Sequence, residues 1–196
     1  ALLIFDNRSD KKEQVDVIVK IARDILKDSE KIEKLVDFDF DRIIYLGSGS
    51  LYKLTNEARL KVLELTAGDV SSLYESSMGF RHGPKSFVNG KTLIISFISS
   101  NEYTRDYDLD ILNEIAADKI APQIIAVANS KIDGDFEKLI YENELTCDAY
   151  LSLPFIIIGQ LVSLITSLRV GNTPDNPSKS GTVNRVVKGV TIHPYN

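Results

Sequence analysis

The stretch Arg42-Ile-Ile-Tyr-Leu46, followed by Gly47-Ser-Gly-Ser50, decides the fold of this chain. An unbroken apolar run of this length is typical of a strand that is buried on both faces of a sheet. The glycines and serines that follow favour a tight turn, and the apolar residues after them predict a helix over 53–66. Strand, turn and helix in this order are the opening of an α/β unit.

The same alternation of strands and helices continues toward the C-terminus. Further strands are predicted at 70–74, 92–98, 123–128 and 149–153, and further helices from Pro84, over 107–119 and over 155–170. Apolar strands that alternate with helices predict an α/β fold whose parallel sheet is covered on both faces. Such sheets bind their ligands outside the carboxyl ends of the strands. We therefore expect the Gly-Ser loop and the loop after the second strand to share that edge.

The two ends of the chain differ from this central region. Apolar residues recur at helical spacing from about residue 10 to residue 36, which predicts one long helix or two shorter ones. We assign residues 1–37 to the end of a preceding domain and a linker helix, 38–170 to the α/β domain, and 171–196 to a C-terminal tail. The apolar start at Ala1, without a methionine, indicates the C-terminal part of a longer protein. The turn-rich tail is expected either to cover a site or to be disordered.

The composition of the chain argues against several kinds of partner and site. The 196 residues carry a net charge of −5 and are 43% hydrophobic, which predicts a folded domain and argues against nucleic acid or an anionic membrane as partners. The longest apolar stretch, residues 155–165, is too short to span a bilayer, and no signal peptide is recognised. The single cysteine, Cys147, rules out an internal disulfide and fits the cytoplasm. Two distant histidines and one cysteine offer no ligand spacing for a metal.

A charged stripe runs along the predicted helix over 53–66. Glu57, Lys61 and Glu64 are separated by four and three residues, so they fall on one side of the helix between apolar flanks. The stripe faces either bulk water or a wet cleft. A surface ladder of ion pairs would look the same and would add only tenths of a kcal/mol to stability.

The second candidate for chemistry is His82, in Phe80-Arg81-His82-Gly83-Pro84-Lys85. Gly83 permits a sharp turn and Pro84 suits the first position of a helix. The positive end of that helix would favour a neutral imidazole, which can exchange protons near pH 7. A carboxylate and an imidazole together are the minimum needed to move a proton off carbon, although a lone histidine can equally be a structural residue. His193, near the C-terminus, is expected on the surface.

The Gly47–Ser50 loop resembles a cradle for an anion, with backbone amides at a helix start and the hydroxyls of Ser48 and Ser50, which are the candidate substrate contacts of this loop. The alternative is a tight turn built from small residues. The loop lacks the spacing of a dinucleotide fingerprint or a P-loop, so no nucleotide or other cofactor is predicted.

Several of these motifs occur together, and in this order they resemble a known family. They are the Gly-Ser loop, Asn56–Thr66, Ser76–Phe87 with its His-Gly-Pro, Tyr103-Thr-Arg-Asp-Tyr-Asp108, and the tail segments Val170–Asp175 and Ser180–Val187. The chain is similar over about residues 40–196 to sugar isomerase (SIS) domains, specifically to the second of two such domains. The nearest likeness is to the AgaS group of galactosamine-6-phosphate deaminase/isomerases. The resemblance implies a flavodoxin-like, three-layer sandwich with a five-stranded parallel sheet, and chemistry on a phosphorylated hexose or hexosamine.

The resemblance also implies roles for particular residues. The family's helix glutamate, here Glu64, moves a proton between C1 and C2 of the sugar. A lysine of the family stands where Lys61 does, and Lys61 is therefore expected to contact the substrate. The histidine of the His-Gly-Pro loop, here His82, assists ring opening and reaches the site from a neighbouring subunit, which implies a homodimer or higher homo-oligomer. The tail lysine, matched by Lys179, forms an imine with the open-chain ketose or only positions the substrate.

One part of the family's pattern is absent from this sequence. The phosphate-binding loop of the family, rich in Ser and Thr, lies in the first SIS domain, and no comparable loop appears here. An N-terminal SIS domain of the same protein is therefore an expected partner. The function expected from the resemblance is conversion of galactosamine 6-phosphate to tagatose 6-phosphate and ammonia. Plain aldose–ketose isomerisation and a non-catalytic sugar-phosphate-binding regulatory module are the alternatives.

Overall fold

A five-stranded parallel sheet forms the centre of the domain. The computed structural model describes residues 7, 9–145, 147–175, 177–178, 181 and 189–194. The helices are α1 (Lys11–Lys27), α2 (Ser29–Leu35), α3 (Ser50–Leu65), α4 (Ser77–Phe80), α5 (Glu102–Asp118) and α6 (Asp148–Arg169), with a 3₁₀ helix at Pro84–Phe87. The strands are β1 (Arg42–Gly47), β2 (Ser71–Glu75), β3 (Thr92–Phe97), β4 (Gln123–Ala128) and β5 (Glu137–Ile140).

The strand order is β2-β1-β3-β4-β5, and every neighbouring pair is parallel. This is the order of flavodoxin-like sheets, so the predicted fold class is confirmed. The central strand β3 is buried along its whole length, whereas the edge strand β2 is only partly buried. The continuous apolar runs that predicted the strands therefore mark the positions that the helices cover on both sides.

The helices form two layers with separate hydrophobic cores. On one face, α1, α2, α3 and α6 pack on alternate sheet residues such as Tyr45 and Ile95. On the other face, α5 and Phe80 pack on the intervening residues, such as Ile44 and Ile94. The apolar pattern over residues 10–36 is resolved as two helices that meet at Asp28. Both helices contribute side chains to the first core. The domain boundary predicted after residue 37 remains a prediction.

The predicted fifth strand at 149–153 is wrong. These residues belong to α6, and β5 lies earlier, at Glu137–Ile140, where it pairs with β4. In α6 the buried side chains Leu151, Phe155, Ile158 and Val162 recur at intervals of three or four, which is helical spacing. A buried Pro154 lies inside the helix, and its usual role as a helix breaker concealed the continuity of the segment.

Two predicted helix starts also come later than the observed ones. Helix α3 begins at Ser50 rather than at residue 53, directly after Gly49, whose φ of 56° lies in the left-handed region that favours glycine. Helix α5 begins at Glu102 rather than at residue 107, because the Asn101 side chain accepts a hydrogen bond from the Thr104 amide at 3.1 Å.

Helix α6 is the most apolar of the long helices. At 22 residues it is longer than the apolar stretch recognised in the sequence, and by length and composition alone it could cross a membrane. Half of its apolar window is nevertheless buried inside the domain, against the sheet and α3. This core position accounts for the apolar side chains of its buried half.

Helices α3 and α6 approach each other closely at Gly159. A Cβ atom at this position would lie 2.8 Å from the Cβ of Ala58, closer than two such atoms can pack. We expect Gly159→Val to lower the free energy of unfolding by about 1–3 kcal/mol, because the two helices would have to separate. Urea denaturation would measure this loss. Gly90→Val is the matched control, since a Cβ there meets nothing within 4 Å, and equal stability of the two variants would contradict the prediction.

Candidate active site

The charged stripe on α3 forms the ion pairs that its spacing predicts. Lys61 Nζ lies 2.7 Å from Glu64 Oε2 and 3.5 Å from Glu57 Oε1. The hydrogen bond that Lys61 donates to Glu64, with the charges of both carboxylates, raises the pKa of Lys61. The Glu64 side chain is 43% exposed, so the carboxylate is held in place and remains open to solvent. The arrangement supplies a base that an incoming substrate could reach.

The beginning of the C-terminal tail lies beside the end of α3, close in sequence to Glu64. The Asn172 side chain donates to the Leu65 carbonyl at 3.3 Å, and its backbone amide donates to Ser167 at 2.9 Å. Asn172 and Ser178 are only 4% and 5% exposed, so these parts of the tail lie against the protein. Lys179 itself falls outside the described residues, and its role stays a prediction.

His82 is exposed, in the turn between α4 and the 3₁₀ helix. Gly83 has a φ of 131°, and Pro84 begins the next helix, as the sequence predicts. Two cations next to His82 tie this turn to α5. Arg81 Nε lies 2.9 Å from Glu114, and Lys85 Nζ lies 2.7 Å from Asp118. The turn is therefore fixed while the imidazole remains free to meet a group from outside.

Glu64 and His82 lie on opposite faces of the sheet. Helix α3, which carries Glu64, packs in the first core through Ala58 and Val62, whereas Phe80, two residues before His82, packs in the second. This follows from the strand order, because the chain moves from β1 outward to β2 and then back past β1 to β3. Right-handed crossovers in opposite directions lie on opposite faces. One copy of the chain does not bring these two groups together.

Ser48 and Ser50 are also distant from Glu64. Ser50 is the first residue of α3 and Glu64 lies in its last turn, which places them about 21 Å apart along the helix at 1.5 Å per residue. That distance exceeds the length of a six-carbon sugar phosphate. Ser50 is exposed, whereas the Ser48 hydroxyl donates to Asp108 at 2.5 Å. The serines and the glutamate therefore belong to different ends of the domain.

Ser48 also belongs to a second set of polar residues, at the carboxyl edge of the sheet, whose other members sequence reasoning missed. Asp108 on α5 and Asp148 at the start of α6 accept hydrogen bonds from serines that follow β1, β2 and β3. The available signal was the pair Ser99-Ser100, which follows β3 as the Gly-Ser loop follows β1. Among the residues that the structure describes, no group of three His, Cys, Asp or Glu side chains could hold a metal ion.

Two proteins with similar sequences carry the same name. The D-galactosamine-6-phosphate deaminase AgaS of Escherichia coli O157:H7 is 48% identical over 157 residues, which are 79% of this chain and 41% of that protein. The enzyme of the same name from Shewanella sp. (strain ANA-3) is 40% identical over 154 residues, 79% of this chain and 38% of that protein. The chain therefore spans less than half the length of the curated relatives it matches. No protein-family model matches it.

A solved structure gives the same picture. The tagatose-6-phosphate ketose/aldose isomerase from Escherichia coli superposes with a TM-score of 0.79 at 38% sequence identity. The match covers 91% of this chain and 47% of that one. The likeness therefore extends over nearly the whole domain described above and about half of the compared enzyme.

Proposed function

Because this chain belongs to the sugar isomerase (SIS) domain family, in its AgaS group, we propose that it is one half of an amino-sugar phosphate deaminase/isomerase. The proposed reaction converts galactosamine 6-phosphate and water to tagatose 6-phosphate and ammonia. The identity of 48% to a galactosamine-6-phosphate deaminase carries this proposal. Since the chain matches only 41% of that relative, an N-terminal SIS domain of the same protein would supply the remaining contacts, including those to the phosphate.

The chemistry needs one base that is placed to move a proton between two adjacent carbons. In the open-chain aldose, Glu64 would remove the C2 proton, and the electron pair of that bond would form a C1=C2 double bond. The π pair of the C1 carbonyl would move to O1, which takes up a proton from solvent to complete the enolamine. Return of the proton to C1 leaves a ketimine at C2. Water then adds to C2 and ammonia leaves, which gives the ketose. General-base catalysis of this kind contributes about 10²–10⁴-fold to the rate.

The proposal gives the other predicted site residues distinct roles. Lys61, 2.7 Å from Glu64, would hold the carboxylate in position. His82 would assist ring opening in the site of a neighbouring subunit, which is consistent with its exposed position on the other face of the sheet. Lys179 would contact the sugar from the tail, either through an imine or as a positioning group. Ser48 and Ser50 stay separate predictions, because they lie at the other end of α3.

Plain aldose–ketose isomerisation is the second candidate. It is favoured by the name of the solved Escherichia coli structure, a tagatose-6-phosphate ketose/aldose isomerase. The same proton transfer between C1 and C2 would serve it, without hydrolysis of a ketimine. The two functions differ in the fate of the nitrogen.

An assay of the full-length protein separates these functions. We expect galactosamine 6-phosphate to yield ammonia and tagatose 6-phosphate in equal amounts, measured by coupled ammonia detection and by mass spectrometry. Glucosamine 6-phosphate is the stereochemical control. Interconversion of aldose and ketose phosphates without ammonia would replace the deaminase with an isomerase. Binding of sugar phosphate without turnover would indicate a regulatory module.

The proposal extends to the protein's assembly and location. A homodimer or higher homo-oligomer is required if His82 acts in a neighbouring subunit. The side chains of Leu153 and Leu168 on α6 are 51% and 56% exposed, which leaves apolar surface for further chain to cover. A cytoplasmic location fits the lone cysteine and the sugar-phosphate substrate.

A further inference from the structure

Three loops at the carboxyl edge of the sheet converge on one buried carboxylate. Asp108, on α5, has no exposed surface. Its Oδ1 accepts from the Ser48 hydroxyl at 2.5 Å and from the Ser77 hydroxyl, and its Oδ2 accepts from the Ser99 amide at 3.0 Å. These donors follow β1, β2 and β3 respectively. Asp108 is therefore the point at which all three loops meet.

This point coincides with the position where sheets of this order bind ligands. In the order β2-β1-β3-β4-β5, the chain reverses direction between β1 and β3. The loops after these two strands turn to opposite sides and open a crevice, and ligands of flavodoxin-like sheets bind there. Hydroxyl and amide donors at the start of a helix are the groups that such a crevice presents to an anion. Here those donors are directed at Asp108.

A second carboxylate holds the loop after β3 from the other side. Asp148 accepts from the Ser99 hydroxyl at 2.6 Å, and from the Ser100 amide and hydroxyl at 2.8 and 2.7 Å. These donors of Ser48, Ser77, Ser99 and Ser100 are thus already bonded to a protein carboxylate. Burial raises the pKa of Asp108, and its three hydrogen bonds oppose that shift.

We propose that Asp108 is a built-in occupant of this crevice, and that its carboxylate takes the place that a phosphate-type anion would fill. The crevice then fastens the three loops together and is closed to substrate. Ser48, predicted from the sequence as a substrate contact, becomes part of the cradle around Asp108. This inference stands independently of the reaction proposed above, since it concerns only the described side chains at the carboxyl edge.

The test is rescue by an added anion. In the full-length protein, Asp108→Ala should lower the midpoint of thermal unfolding by about 5 °C or more, because three donors, two of them buried, lose their acceptor. Sodium formate, a carboxylate small enough for the vacated space, should restore much of this loss in a saturable manner. Inorganic phosphate is the second probe, and sodium chloride at equal ionic strength is the salt control.

A matched variant separates a specific site from general stabilisation by salt. Asp106→Ala removes an exposed carboxylate from the same helix and should show neither the loss nor the rescue. If Asp108→Ala does not fold, the yield of folded protein on refolding with and without formate provides the same comparison. The proposal is overturned if neither anion exceeds chloride with Asp108→Ala, or if wild type and Asp106→Ala respond to formate equally.

Discussion

Replacement of Glu64 by glutamine in the full-length protein should lower kcat for the hexosamine phosphate by about 10²–10⁴-fold. Glutamine keeps the shape of the side chain but cannot accept the C2 proton. The fold should survive, because the side chain is 43% exposed and such surface ion pairs contribute about 0–1 kcal/mol. Steady-state kinetics and thermal unfolding, measured together, would distinguish lost chemistry from lost structure.

Glu57→Gln is the matched control for this experiment. Glu57 lies on the same stripe and pairs with the same lysine, at 3.5 Å, but it is nearly two helical turns away from Glu64. We expect its turnover to stay near that of the wild type. Near-normal turnover of Glu64→Gln would remove this residue from the mechanism.

Mixed oligomers should recover activity that neither parent variant possesses. In the shared-site hypothesis, His82→Ala subunits retain Glu64, and Glu64→Gln subunits retain His82, so one site of a mixed dimer contains both groups. For random mixing in a twofold dimer, recovery should approach about one quarter of wild-type activity, because half of the dimers are mixed and each has one intact site. Activity of the mixture is compared with each parent after subunit exchange.

The control mixture pairs Glu64→Gln subunits with subunits that carry both substitutions. It should stay inactive, since no combination of these chains restores Glu64. Exchange of subunits is verified by native mass spectrometry. If exchange is complete and the first mixture stays inactive, the two residues do not share a site between chains.

The sheet could be predicted from sequence where burial alone determines the pattern. β1, β3 and β4 are covered on both sides, so their residues form unbroken apolar runs that have few other interpretations. β5 escaped recognition because it is a short edge strand, Glu-Lys-Leu-Ile, with only one fully buried residue. Local pattern carries little information for an edge strand whose existence depends on pairing with its neighbour.

The candidate site was predictable where it depends on helical spacing, and not where it depends on topology. The contacts of Lys61 with Glu57 and Glu64 follow from intervals of four and three residues. The separation of Glu64 from His82 follows from the strand order, which no single segment encodes. The bond from Ser48 to Asp108 joins residues 60 positions apart, and only the folded sheet brings their loops together.

The placement of Glu64 and His82, the two proposed proton-transfer groups, on opposite sides of the sheet has a consequence for control of the proposed reaction. If one site needs Glu64 from one subunit and His82 from another, a newly synthesised chain is catalytically inactive until it associates with a second subunit. Specific activity would then rise with protein concentration and vanish on dilution below the dissociation constant of the oligomer. Unassembled or misfolded chains could not consume amino sugar. The rate of turnover in the cell would therefore depend on the concentration of assembled oligomers and not on the total concentration of the chain.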